Sequence, residues 1–345
     1  MSAPPSHALE QGLARYSTLI DEALTRWLPT GDPAKWLYDL AAAYPNRGGK
    51  RYRPTLCLAS CEAFGGRLAE ALPAAVAIEL LHSAFLVHDD IADDSDIRRG
   101  ETTLHAQHGV PLALNAGDFL AIAALQVVRD SSDVIGQRLS GRVLDEFLAM
   151  ARHTLEGQAI EAGWRRDVVV DLSADDYLDL VLKKTCWYTV IHPLRVGLLI
   201  GSLGAADPAR VVDFGFHLGV AFQIRDDVLN LCGEEGEVGK EILGDLLEGK
   251  RTLMLIHLLN SVSGEERAQL HDFLRRSRSE RTLDEARQIK ARMEHFGCFD
   301  IADSYATLYA ARAYDTFADA FGAAANTEAG RLLRRMIDFT ITRRS

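Results

Sequence analysis

HDDIADDSDIRRG, residues 88–100, and QIRDDVLN, residues 223–230, decide how this chain is read. Asp89 and Asp93 are four residues apart, so on a helix they share one face. Asp90 and Asp94 form a second such pair. Like charges at that spacing repel by roughly 0.2–0.5 kcal/mol per pair on an exposed helix, and by more in a buried one. The run leading into them is apolar (Ile78, Leu80, Leu81, Phe85, Leu86, Val87), so this is no ordinary solvated face. A hard divalent cation relieves the repulsion. Mg²⁺ suits oxygen donors, keeps several waters and binds substrate phosphates as well. In the second cluster Gln223 lies one turn before Asp226 and Asp227, on the same side. If the two acid helices face each other, their carboxylates hold metal ions between them. A lone DD pair reads more simply as a helix end or a surface patch. Two clusters, each joined to an apolar helix, point to a site.

Helical patterning dominates the rest. Residues 8–28 read as an amphipathic helix with Leu9, Leu13, Tyr16, Leu19 and Ile20 on its apolar side. Gly48-Gly49 breaks the pattern before a helix that begins near Pro54. Pro73 suits the first position of a long helix ending near Asp96, and Pro111 opens the next. Further helices are expected at about 139–162, 173–203, 209–231, 250–261, 264–276, 283–297, 299–321 and 327–342. Val168-Val169-Val170 is the only β-like run. Without a linker or a fixed-period repeat, residues 1–345 read as one all-α domain. Segments 73–89 and 211–224 are apolar most of the way round, which places them at the centre of a large bundle. Bundles build metal and ligand sites from facing helices of this kind.

Composition narrows the function. The net charge of −11 argues against a nucleic-acid partner, which needs a basic surface. Five cysteines without zinc-type spacing read as small core residues in a reduced, cytoplasmic compartment. The start, MSAPPSHALEQG, carries no signal-peptide pattern. No stretch reaches the ~18 uninterrupted apolar residues of a membrane span, so none is expected.

The basic residues say what the metal is for. Arg98-Arg99-Gly100 follows the first cluster, and Gly48-Gly49-Lys50-Arg51-Tyr52-Arg53-Pro54 is a second basic group. Lys184, Lys240 and Lys250-Arg251 lie near or beyond the other motifs. Arg grips phosphate oxygens bidentately and Lys does so as a point charge. Mg²⁺-binding acids interleaved with such cations suggest a diphosphate ligand. A Walker loop is absent, which disfavours a nucleotide triphosphatase.

Taken in order, GGKRYRP (48–54), ELLHSAFLVHDDIADDSDIRRG (79–100), NAGDFL (115–120), GQAIE (157–161), KKT (183–185), FQIRDDVLN (222–230) and GKEILGDLLEGKRT (239–252) resemble the trans-isoprenyl diphosphate synthases of the polyprenyl synthetase family, of the geranylgeranyl diphosphate synthase type. The resemblance implies an isoprenoid-synthase helical bundle around a deep central cavity, usually a homodimer. It implies Mg²⁺ on Asp89, Asp90 and Asp93, bridging an allylic diphosphate, and a further Mg²⁺ on Asp226 and Asp227. Lys50, Arg53, His82 and Arg99 look like the isopentenyl diphosphate pocket. Arg98, Lys184, Lys240 and Lys250 look like cations on the allylic diphosphate. Thr185 and Gln223 match positions near the developing carbocation, and with Lys184 and Arg98 they form the expected catalytic group. The chain departs from the pattern at Asn230, which ends the second motif where Asp is usual, and at Glu161, where Asp is common. The aromatic pair in CWYTVIHPLRVG (186–197) has no counterpart expected in every member.

The implied reaction is ionisation of the allylic diphosphate, attack by isopentenyl diphosphate and loss of a proton to the released diphosphate. His88 is then supporting or structural. The growing chain runs down the helix below Asp89, past Phe85 one turn below and Leu81 two turns below, at about 5.4 Å per turn. Ala84 is small where shorter-product relatives often carry an aromatic, so the expected product is C20, with C15 or C25 and above as alternatives. A class I terpene cyclase is disfavoured because it needs no isopentenyl site. A non-catalytic partner subunit is disfavoured because five motif acids remain.

Overall fold

The structure is a computed structural model that describes residues 5–28, 30–232 and 242–342, with side chains in 12–28, 30–232 and 242–340. Its α-helices are α1 (Pro5–Trp27), α2 (Asp39–Asn46), α3 (Tyr52–Ala63), α4 (Leu68–Asp93), α5 (Leu104–His108), α6 (Val110–Asp130), α7 (Ser132–Ile135), α8 (Gln137–Arg166) and α9 (Ala174–Val181). They continue as α10 (His192–Gly201), α11 (Val212–Cys232), α12 (Gly244–Glu248), α13 (Leu253–Ser261), α14 (Gly264–Arg275), α15 (Leu283–His295), α16 (Cys298–Phe321) and α17 (Glu328–Thr342). Helix α4 packs along α6 and α3, and α11 along α16. Every side chain of α4 from Ala74 to Ala84 is buried, as expected of a helix that is apolar most of the way round. Cys57 and Cys61 are likewise buried core residues.

The structure revises several expectations. Helix α4 starts at Leu68, not at Pro73, because the Glu70 carboxylate accepts the Arg67 N–H at 3.3 Å and caps the end. It stops at Asp93, since Asp94 adopts a left-handed conformation (φ 52°) that closes the helix. Asp94 therefore does not share a helical face with Asp90; it is exposed, near His105. Val168–Val170 is a turn and irregular chain, not a strand. The strands lie instead in a two-residue hairpin, β1 (Ile97–Arg98) paired with β2 (Glu101–Thr102). Arg99 (φ 55°) and Gly100 (φ 77°) form its turn, both left-handed, as a tight hairpin turn of this length requires. The expected helix at 173–203 is α9, a π-helical segment Leu182–Ile191, and α10. Pro193 has no N–H to give the Thr189 carbonyl, and the wider turn before it accommodates the ring.

By length and mean hydropathy two helical stretches, Leu68–Asp93 and Val110–Ile135, would qualify as membrane spans, but both carry charged residues and neither is an uninterrupted apolar run. The α4 window is 72% buried inside the protein, as a core helix must be, against 39% for the second.

His192 gives the fold a testable acid response. It is buried edge-on to Phe147, with ring centroids 4.4 Å apart. Burial, then the Arg195 guanidinium, pushes its pKa down to about 3. The unfolded chain binds that proton near pH 6.5, so this contribution to stability is complete above 6.5 and is lost as pH falls toward 3. The slope is up to ~1.4 kcal/mol per pH unit. His192→Leu should flatten the pH dependence of denaturant unfolding between pH 6 and 4 by about one proton's worth. An unchanged slope would remove His192 from the acid response.

Candidate active site

One cavity of about 320 Å³ is walled by α3, α4, the β1–β2 turn, α8, α9, the π segment, α11 and the 245–252 stretch. Its lining mixes both signs of charge: Arg53, Arg98, Arg99, Lys184, Lys250 and Arg251 with Asp89, Glu161, Asp226, Asp227 and Asp245, and His82 beside Arg53.

The arginine cluster is built by close approaches. Gly49 adopts φ 132°, a conformation that L side chains rarely take, and the Arg99 guanidinium packs against it where a Cβ would stand 2.9 Å away. Arg99 donates to the Gly48 carbonyl. Arg53 donates to the Tyr188 hydroxyl at 2.6 Å and lies 3.4 Å from His82 Nε2. Burial, then Arg53, Arg99 and Arg98, hold His82 well below its usual pKa, so it is neutral. Burial, with Arg51, Arg53 and Arg98, lowers Arg99 too, although Glu79 opposes this. Such a cluster favours an anion. Arg51 serves the scaffold: it pairs with Glu79 (2.6 Å) and Asp21 (2.8 Å), tying α3 to α4 and α1. Lys50 does not line the cavity; its Nζ lies 5.4 Å from the Phe339 ring centroid.

The acids divide their labour. Asp89 faces the cavity, with Lys184 Nζ at 3.6 Å and Gln158 Nε2 at 3.3 Å. Burial and Asp93 resist its charge, but Lys184, Lys250 and Arg98 outweigh them and lower its pKa. Asp93 is likewise held well below the usual range: burial opposes ionisation, and Lys250 (3.0 Å) and Arg165 (2.6 Å) prevail. The motif places Asp90 among the metal-binding acids, and here the structure reads differently. Asp90 is wholly buried, does not line the cavity, accepts Arg98 Nε at 2.7 Å, and takes the Tyr44 hydroxyl on its other oxygen. Both oxygens are occupied, so its side chain positions Arg98. Lys184 is paired with Glu161, and a Cβ at Gly157 would collide with the Lys184 backbone; glycine there lets α8 approach the π segment.

On α11, Asp227 Oδ2 accepts the Tyr177 hydroxyl (2.7 Å) and Oδ1 accepts Gln223 Nε2 (2.6 Å). Thr185 Oγ1 donates to Gln223 Oε1 at 2.9 Å. Burial, then repulsion from Asp245, pushes Asp227 up to about 8 despite both bonds. Among the described residues no Lys or Arg forms an ion pair with this carboxylate. Asn230 Oδ1 accepts the Asp245 backbone N–H at 3.0 Å, so this amide positions a further carboxylate of the cavity. Asp245, Arg165 and Tyr177 were not singled out from sequence, and burial of a charge or hydroxyl beside a motif residue is their only mark; Tyr188 was marked only as one of an aromatic pair without an assigned role. Lys240 lies outside the described residues. Leu81, Ala84 and Phe85 do not line this cavity: Leu81 and Ala84 are buried, and Phe85 meets Tyr188 edge-on. His88 packs on Gly117 of α6, 3.3 Å from Asp118, as a structural residue would.

Among the described residues no three His, Cys, Asp or Glu side chains form a ready-made metal cage. That suits Mg²⁺, which takes one or two carboxylates and completes its shell with water and substrate phosphates. The all-oxygen donors that line the cavity, Asp89, Asp226 and Asp227, fit the same ion.

A helical bundle that gathers carboxylates and guanidiniums in one cavity defines a diphosphate-handling enzyme in architecture. The chain matches the polyprenyl synthetase family over residues 34–291; it belongs to that family and is a prenyltransferase. It is 33% identical over 318 residues to a geranylgeranyl diphosphate synthase of Sulfolobus acidocaldarius, covering 91% of this chain and 93% of that one. A geranylgeranyl pyrophosphate synthetase structure from Pyrococcus horikoshii superposes with a TM-score of 0.84 at 29% identity, covering 99% of this chain and 100% of that one. A polyprenyl synthase structure from Caulobacter crescentus, complexed with calcium and isoprenyl diphosphate, gives 0.82 at 25% identity, with 100% and 99% covered.

Proposed function

We propose that this protein condenses isopentenyl diphosphate head to tail with an allylic diphosphate, giving a linear polyprenyl diphosphate whose main length is C20, geranylgeranyl diphosphate. One cavity lined both by the motif acids Asp89, Asp226 and Asp227 and by the cations Arg53, Arg98, Arg99, Lys184 and Lys250 carries this reading. Mg²⁺ on Asp89 from α4, and on Asp226 and Asp227 from α11, would neutralise charge on the departing diphosphate, whereas Asp93, buried, outside the cavity lining and held by Arg165 and Lys250, orients Lys250 rather than holding the metal itself.

The protein's own groups do the rest. Lys184 and Arg98, oriented by Glu161 and Asp90, add fixed positive charge where the leaving group departs. Lys250, held by Asp93 and Glu248, stands at the same mouth, and Lys240 joins this set by resemblance. Arg53, Arg99 and neutral His82 hold isopentenyl diphosphate with Lys50 at the edge. Thr185 and Gln223, hydrogen-bonded to each other, turn oxygen dipoles toward the allylic cation. No side-chain base is needed if the released diphosphate takes the proton.

We also propose a single all-α domain over residues 1–345, working in the cytoplasm as a homodimer. The half-exposed apolar helix α6, with Leu114 and Ile122 outward, and Leu148 and Leu155 on α8 support a paired surface.

The test is a product assay with Mg²⁺, labelled isopentenyl diphosphate and C5, C10 or C15 allylic diphosphates in turn. Elongated products, C20 foremost, are expected. No incorporation from any starter, with cyclic hydrocarbons from C15 or C20 diphosphate alone, would overturn the reading in favour of a cyclase. Complete inactivity would favour a partner subunit.

A further inference from the structure

Tyr188, from the aromatic pair that the motifs left unexplained, joins the two ends of the reaction. Asp89 and Lys184 stand 3.6 Å apart across the cavity. One helical turn from Asp89 is Phe85, and one turn from Lys184, on the opposing π segment, is Tyr188. Those two rings meet edge-on, centroids 5.7 Å apart and planes at 87°, a favourable aromatic geometry. The aromatic pair therefore spans between the two helices one turn, about 5.4 Å, from the ion pair. The Tyr188 ring is fixed there from its polar end. Its hydroxyl accepts Arg53 Nη2 at 2.6 Å, and the Arg53 guanidinium carbon lies 4.3 Å from its ring centroid. Its ring is also tilted against His82, centroids 6.0 Å apart.

Resting on the function proposed above, we propose that Tyr188 is a dual specificity and positioning residue. Its ring, which lines the cavity and is backed edge-on by Phe85 behind it, forms the floor against which the growing prenyl chain stops, and its hydroxyl pre-orients Arg53 for the diphosphate of isopentenyl diphosphate. The floor is thus set by both helices, and the length limit and the acceptor pocket share one side chain. A π segment at this place is consistent with a functional position, since such wide turns cluster at functional sites.

Two variants separate the two roles. Tyr188→Ala removes the ring and should move the main product at least one isoprene unit longer. Tyr188→Phe keeps the ring, so product length should hold. It should raise KM for isopentenyl diphosphate on the order of 10-fold, the scale of a lost hydrogen bond to a charged group, with KM for the allylic substrate unchanged. If circular dichroism shows that Tyr188→Ala does not fold, Tyr188→Leu serves for the same length readout. Wild-type elongation together with an unchanged product distribution in the alanine or leucine variant overturns the floor. An unchanged KM for isopentenyl diphosphate in Tyr188→Phe overturns the positioning role. Absence of elongation by the wild type would instead defeat the underlying function.

Discussion

Asp89→Ala should lower Mg²⁺-dependent turnover on the order of 10³-fold or more while leaving the fold intact. The magnitude is that of removing a group aimed at charge developing in the transition state. Asp89 is the cavity-facing acid of the first motif, whereas Asp90 is committed to Arg98 and Tyr44. Without it, Lys184 keeps Glu161 as its ion-pair partner among the described residues, and the Asp89–Asp93 repulsion disappears. Stability should therefore change little, because a repulsion is lost along with an attraction. Asp89→Asn tests the charge itself: it retains an oxygen for the Gln158 amide but should lose nearly as much rate. Steady-state kinetics over a Mg²⁺ titration, with a thermal melt beside it, decides the matter. Near-wild-type kcat in either folded variant would remove Asp89 from the metal site.

Asp90→Ala is the informative contrast. Its loss leaves Arg98 without its strongest partner, in a position that is almost fully buried. Breaking such a buried pair costs roughly 3–5 kcal/mol, so this variant should be less stable than Asp89→Ala, with a melting temperature lower by several degrees. Equal melting temperatures would refute the division of labour between neighbouring aspartates.

That division shows where sequence stops informing. Helical period puts Asp89 with Asp93 and Asp90 with Asp94, but period alone does not say which face meets the cavity. Tyr44, which takes Asp90 to the other side, lies 46 residues away in the chain. Arg165 is 72 residues from Asp93, and no local pattern around it signals the pairing. The helices themselves were legible because burial imposes a 3.6-residue period on them. The β1–β2 hairpin was not, because two-residue strands are too short to alternate. Its one readable signal was glycine at position 100, the second left-handed residue of the turn. Asn230 looked like a weakened metal ligand in the motif. In the fold it is a backbone acceptor that sets Asp245, a substitution of role visible only in three dimensions.

Ala84→Phe should shorten the main product from C20 to C15. Ala84 lies five residues before Asp89, roughly the depth of one isoprene unit below the reacting carbons. Ala84 does not itself line the cavity, so a benzyl group there would act by pressing Phe85 and the cavity-lining Tyr188 inward, which reduces the depth available to the tail. Ala84 is wholly buried, so the added ring must displace packed neighbours, at a cost of about 1–3 kcal/mol. The variant should therefore melt lower yet remain folded, and the smaller Ala84→Leu should give a mixture of C15 and C20. Chromatography of the dephosphorylated prenols reads both. An unchanged C20 product from folded Ala84→Phe would show that this turn of α4 does not bound the tail, leaving the Phe85–Tyr188 pair as the floor. Shortening by Ala84→Phe and lengthening by Tyr188→Ala would together place the limit between the two helices, so that product length is a property of their spacing rather than of one residue.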